Sequence, residues 1–129
     1  MRSGDIVSWK RTFTEDDVRA FSRITGDEGS HHVHPDLQGR LMVQGLLTAS
    51  LPTKIGGDLD YLAQAMHFQF HHPVFTGETI ECQVRIEAVE TDARGSRLSC
   101  TFVCTNQDGT VVLTGDSQGR LRKDDRTPG

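Results

Sequence analysis

"RLMVQGLLTASLPTKIGG", residues 40–57, is apolar on nearly every side from Leu41 to Leu51, which is how a helix reads when other structure encloses it. Gly56-Gly57 closes the stretch. Pro52 lacks the N–H that would bond the Thr48 carbonyl, and its ring crowds that oxygen, so the helix is expected to kink or end near there. Such a segment needs a surface that surrounds it, and the sequence on either side supplies one.

Downstream, after Tyr61, the period changes from helical to two. Leu62, Met66, Phe68 and Phe70 fall on one side, then Ile80, Cys82, Val84, Ile86 and Ala88 alternate with Glu81, Gln83, Arg85 and Glu87. "TDARGS" (91–96) and "NQDGT" (106–110) punctuate the rest of the chain, and Asp108-Gly109 is a hairpin signal. Strands that succeed one another without helices between them predict an antiparallel sheet.

Upstream, Val7, Trp9 and Phe13 alternate with polar residues in an extended opening segment. "TEDDVRAFSRITG" (14–26) then predicts a helix capped by Thr14, with Asp17 three places on. Glu15, Asp16 and Asp17 suit the positive end of its dipole. Val18, Phe21 and Ile24 or Thr25 offer an apolar face, and Gly26 is a natural stop. The order predicts the α+β class: a single domain over 1–122 in which a long antiparallel β-sheet wraps around a central apolar helix. Residues 123–129, "KDDRTPG", read as a polar tail.

A chain of 129 residues fits one domain with a core large enough to fold unaided. Fourteen basic against eighteen acidic side chains give a net charge of -4, with no basic run to track phosphates, so nucleic acid is not an expected partner. "MRSGDIVSWK" lacks a signal-like apolar stretch, and nowhere do about eighteen apolar residues run together as a membrane span needs. The expectation is a soluble, cytoplasmic protein. Cys82, Cys100 and Cys104 form no Cys-x-x-Cys pair and read as buried free thiols.

The stretch between the helices, "TGDEGSHHVHPD" (25–36), concentrates the ionisable groups. Taken alone, His31, His32 and His34 read as solvated loop residues, and Asp27 as a side chain that bonds nearby backbone N–H groups. A zinc site from His32, His34 and a carboxylate matches no closed-site spacing. His67, His71 and His72 read as a polar sheet face or strand end that could also border a coenzyme groove.

Several blocks in order, "FTEDDVRAFSRITGD", "HHVHPD", "VQGLLTASL", "YLAQAMHFQFHHPVFTGETI" and "CTNQDGTVVLTG", resemble the MaoC-like (R)-specific enoyl-CoA hydratases and dehydratases of hot-dog fold. The resemblance runs from about Phe13 to Gly115. It implies that Asp27 and His32, five positions apart, answer to the family's acid/base pair, and that the backbone N–H of Gly45 polarises a thioester carbonyl. It further implies a trans-2-enoyl thioester substrate carried by coenzyme A or acyl carrier protein, an (R)-3-hydroxyacyl product, no cofactor beyond the coenzyme A of the substrate, and a homodimer with its tunnel at the subunit boundary.

Chemically, the addition of water needs one proton removed from water, one delivered to the α carbon, and negative charge stabilised on the thioester oxygen. Asp27 and His32 would hold the water between them, one taking its proton and the other helping to return one, without the sequence assigning which. The family's asparagine and proline are replaced here by Gly29 and Ser30, and Gln44 stands where histidine commonly precedes the glycine, in a region that helps to shape the acyl pocket. A hot-dog thioesterase and a non-catalytic acyl-CoA binding domain are the alternatives the same fold permits.

Overall fold

The computed structural model describes residues 1–122; the expected tail at 123–129 lies outside the described residues. The chain runs β1 (Ile6–Thr12), α1 (Glu15–Thr25), α2 (Ser30–Val33), α3 (Gly45–Thr48), α4 (Ser50–Asp58), β2 (Tyr61–Phe70), β3 (Thr79–Asp92), β4 (Gly95–Thr105) and β5 (Val111–Arg122). The strands form one five-stranded antiparallel sheet in the order β1-β3-β4-β5-β2, with β1 and β2 at its edges. This is the α+β architecture expected, one long sheet around a helical segment.

α1 begins where the sequence places it. The Thr14 hydroxyl accepts from the Asp17 N–H at 3.2 Å, and the Asp17 carboxylate accepts from the Thr14 N–H at 2.9 Å, a reciprocal capping box. Gly26 ends it in the left-handed region, φ 77°, with its N–H on the Ser22 carbonyl. The buried face is Val18 and Ser22 rather than one reaching to Ile24, which is 83% exposed.

The apolar stretch departs from expectation at both of its ends. Leu41–Val43 is extended, with the Val43 N–H on the Val74 carbonyl and Met42 bridged to Phe75, so the helical segment starts at Gly45. Nor does Pro52 stop it. The break falls earlier, at Ala49, which places Pro52 third in α4, within the turn whose amides lack helical acceptors in any case. α4 continues through Gly56 and Gly57 to Asp58. The segment is buried on one side only: Thr48, Leu51 and Ile55 enter the core, while Gly45, Leu46 and Thr53 are exposed. Each buried Leu or Ile here contributes roughly 1.5–3 kcal/mol.

Ile80, Cys82, Val84 and Ile86 of β3 and Leu98, Cys100, Phe102 and Cys104 of β4 form the opposing face of that core. Two bulges reset the alternation read from sequence. The shift between Ile86 and Ala88 turns Ala88 outward, and Val89 packs instead. The shift between Ala63 and Ala65 puts Leu62 on the exposed side, opposite Met66 and Phe68. No helix of the described residues is long and apolar enough to cross a membrane.

Candidate active site

Asp27 follows directly on the Gly26 cap, so the last turn of α1 fixes where its carboxylate starts. Its Oδ1 accepts from the Gly29 N–H at 3.3 Å, the local turn that short acids favour. Its Oδ2 lies 3.6 Å from His32 Nε2. One oxygen of Asp27 thus forms the local turn, and the other faces His32.

His32 sits in α2, 6% exposed, beneath that half-exposed carboxylate. Its Nδ1 lies 2.7 Å from the Met42 carbonyl. A carbonyl only accepts, so Nδ1 carries the proton and neutral His32 presents a lone pair at Nε2, toward Asp27. The loop that lacks the family's asparagine and proline is braced by backbone bonds instead: His32 N–H to the Gly29 carbonyl, His34 N–H to Ser30, and Met42 N–H to His31.

Gly45 opens α3, and the N–H of a first helical residue has no acceptor within its helix. A Cβ at Gly45 would meet the Phe70 ring at 2.8 Å, so glycine is required here by Phe70 as well as by any ligand. Gly45 and His32 line one open cleft of about 720 Å³, counted with the solvent space it opens to. His31, whose ring centroid lies 3.8 Å from that of His32, also lines it, as do Phe70, His71 and His72. His31 is thus more than loop surface, and His71 and His72 border the cleft from the end of β2; His67 is exposed elsewhere, 3.8 Å from Asp116.

Gln44 does not face the cleft. It is 1% exposed, and its Nε2 donates to the Val18 carbonyl at 3.0 Å and the Ser22 hydroxyl at 2.9 Å, tying the start of α3 to α1. The region still shapes the cleft, through Met42, Val43 and Gly45 rather than through the Gln44 side chain. Among the described residues, no group of three or more His, Cys, Asp and Glu is placed to hold a metal ion, and His34 is exposed at the end of α2. The thiols are free and buried; a bond from Cys104 together with burial pushes the Cys82 thiol far up, and burial raises Cys100. Neither Cys82 nor Cys100 is disposed to act as a thiolate.

A sheet wrapped on a broken helix, with His32 and a helix-start amide lining one cleft and Asp27 behind His32, has close structural parallels. The R-hydratase PhaJ1 from Pseudomonas aeruginosa superposes with a TM-score of 0.84 over 96% of this chain and 84% of that one, at 16% identity. This is the hot-dog fold. In sequence, the (R)-specific enoyl-CoA hydratase of Aeromonas caviae is 27% identical over 92% of this chain and 93% of its own. The mitochondrial 3-hydroxyacyl-[acyl-carrier-protein] dehydratase FERN of Solanum lycopersicum is 26% identical over 94% of this chain and 78% of its own. No family model matches the chain. Within this fold, the features that sequence reasoning missed are the direction of Gln44 and the part of His31 in the cleft wall, while for His71 and His72 a place beside a groove stood as the second reading. No periodicity encodes them, because they depend on how loops close over one another.

Proposed function

We propose that this MaoC-like protein reversibly adds water to a trans-2-enoyl thioester to give the (R)-3-hydroxyacyl thioester. The observation that carries the reading is the Asp27 Oδ2–His32 Nε2 separation of 3.6 Å. That is too long for a direct hydrogen bond, yet a water oxygen ~2.8 Å from both atoms fits it. His32 takes the water proton at Nε2 while Asp27 holds the second hydrogen, and the C3–O bond forms as the O–H bond breaks. The electron pair of the double bond moves through C2 toward the thioester oxygen, where the Gly45 N–H receives the developing charge; such a donor is worth roughly 3 kcal/mol in enzymes from which one has been removed. C2 then takes a proton back from the Asp27–His32 pair. The carboxylate beside Nε2 also offsets the charge of the imidazolium formed in between.

Coenzyme A and acyl carrier protein both suit an open cleft, and each is named for one of the relatives above. A homodimer is supported by the free edge of β2, by Phe70 at 55% exposure and by Leu46 at 61%, apolar surface that a second copy would cover. Free thiols suit a reducing compartment such as the cytoplasm.

The test is loss of conjugated-enoyl absorbance from crotonyl-CoA, run beside Asp27→Asn and His32→Ala and with a thiol-release assay. Loss that both substitutions abolish, without released thiol, is expected. Thiol released from saturated acyl-CoA would replace the reading with hydrolysis.

A further inference from the structure

Beneath α4, on the core side of the sheet, lies a second cavity of about 570 Å³ counted with the space open to it. Its wall is chiefly hydrocarbon, from Pro52, Ile55, Leu59, Met66, Leu98 and Phe102. Thr53, whose hydroxyl donates to the Ser50 carbonyl, and Cys100 also line it, and the wall carries one pair of hydroxyls bonded to each other: Tyr61 Oη lies 2.7 Å from Ser117 Oγ, with Ser117 buried to 4% exposure.

This pair sits in a slot made for it. A Cβ on Gly119 of β5 would meet first the Leu62 carbonyl oxygen across the sheet and then, at 2.7 Å, Tyr61 Cε2 and Cζ, and one on Gly56 of α4 would meet Tyr61 Cδ1 at 3.3 Å. Two glycines, from the sheet and from the helix, thus admit the ring and aim its hydroxyl along the wall. Burial holds the Tyr61 phenol above its ordinary pKa, despite the Ser117 bond, so it keeps its proton.

Two hydroxyls bring two protons, and one hydrogen bond between them uses one. Among the described residues, neither oxygen has another hydrogen-bond partner. One donor therefore remains uncommitted on an apolar wall, where an unpaired polar group is costly and an acceptor entering the cavity would relieve it.

The cavity and the cleft lie along the same α3–α4 segment: Thr48, the last residue of α3, lines the cleft, and Pro52, beyond the break at Ala49, lines the cavity. An acyl chain whose thioester lies at Gly45 and whose tail follows that segment would reach the cavity. We propose that the Tyr61–Ser117 pair selects acyl chains bearing an acceptor oxygen, such as a keto, hydroxyl or ether group, over hydrocarbon chains of the same length. This rests on the reading of the protein as an acyl-thioester enzyme.

Calorimetric titration with saturated acyl-CoAs tests it, since these ligands bind without being hydrated. One plain chain is compared with a set of equal length whose single keto oxygen is moved along the chain. One keto isomer should bind wild type about tenfold more tightly than the plain chain, the worth of one good hydrogen bond. In Tyr61→Phe with Ser117→Ala the preference should vanish while the plain chain binds as well or better. Plain chains bound with no keto isomer preferred in wild type would overturn the proposal alone, as would a preference that survives the double substitution. The wild-type series decides even if a variant fails to fold. A wild type that binds no acyl-CoA overturns both this inference and the function on which it rests.

Discussion

His32 Nδ1 stands 2.7 Å from the Met42 carbonyl, so the bond that anchors the imidazole also decides which nitrogen is free to accept a proton. His32→Asn tests the two roles apart, because an asparagine amide N–H reaches the position of Nδ1 but offers no base at Nε2. Hydration should fall ~10²–10⁴-fold, the usual worth of a general base. Thermal melting should stay near wild type for His32→Asn and drop further for His32→Ala, which leaves the carbonyl unpaired at a cost of ~1–3 kcal/mol. Equal melting losses with equal activity losses would mean that His32 only holds the loop.

Gly45 and Phe70 make a second testable pair. Gly45→Ala sets a methyl 2.8 Å from the Phe70 ring, and overpacking of this kind costs ~1–3 kcal/mol. Phe70→Leu in the same chain should restore most of that stability, and a double-mutant cycle would show coupling between the sites. Activity should return only in part, since the added methyl still hinders a thioester approaching the Gly45 N–H. Additive stability losses would show that the ring is free to move aside.

How far these relationships were legible differs from residue to residue. Thr14, Asp17 and Gly26 act within one or two helical turns, so their spacing sufficed to place α1 and, with it, Asp27. The Asp27–His32 spacing is local too, and the fold brings the pair together. The start of the helix at Gly45 was hidden because Leu41 and Val43 are buried residues of an extended segment paired with Thr76 and Val74, and buried strand and buried helix look alike in composition. The bulges near Gln64 and Glu87 each shift one residue, which reverses Leu62 and Ala88 without leaving a mark in the alternation. Tyr61 and Ser117 are 56 positions apart and meet only through β2–β5 pairing.

Acid should expose the capping box. Partial burial works against the Asp17 carboxylate, but the Thr14 amide and hydroxyl and the Arg11 guanidinium outweigh it and hold its pKa below the ordinary value. A depressed folded-state pKa means that the stabilisation is complete above the unfolded value of about 4 and is lost as pH falls through the folded one. Asp17→Asn should therefore cost ~0.5–2 kcal/mol at neutral pH and nothing once both forms are protonated. Denaturant midpoints followed down in pH check this; a gap between the two proteins that persists at the acid end would assign the loss to packing.

Gln44→Met separates the stability of the α1–α3 tie from its effect on geometry. The substitution removes bonds to Val18 and Ser22, but it also removes Gln44 Oε1, a buried acceptor with no partner among the described residues. Losing the bonds costs ~1 kcal/mol each, and losing an orphaned acceptor returns ~1–3 kcal/mol, so the two nearly cancel. Melting should move little. Activity should not be spared in the same way, because Ser22 also accepts the Gly26 N–H that ends α1 just before Asp27, so Gln44 couples the Gly45 amide to the carboxylate. A fall in kcat of about tenfold at little-changed KM is expected, the pattern of an interaction used in the transition state. Gln44→Glu should do worse in both respects, since its carboxylate would face the Val18 carbonyl. Full activity in Gln44→Met would show that the sheet alone holds the two halves of the site in register.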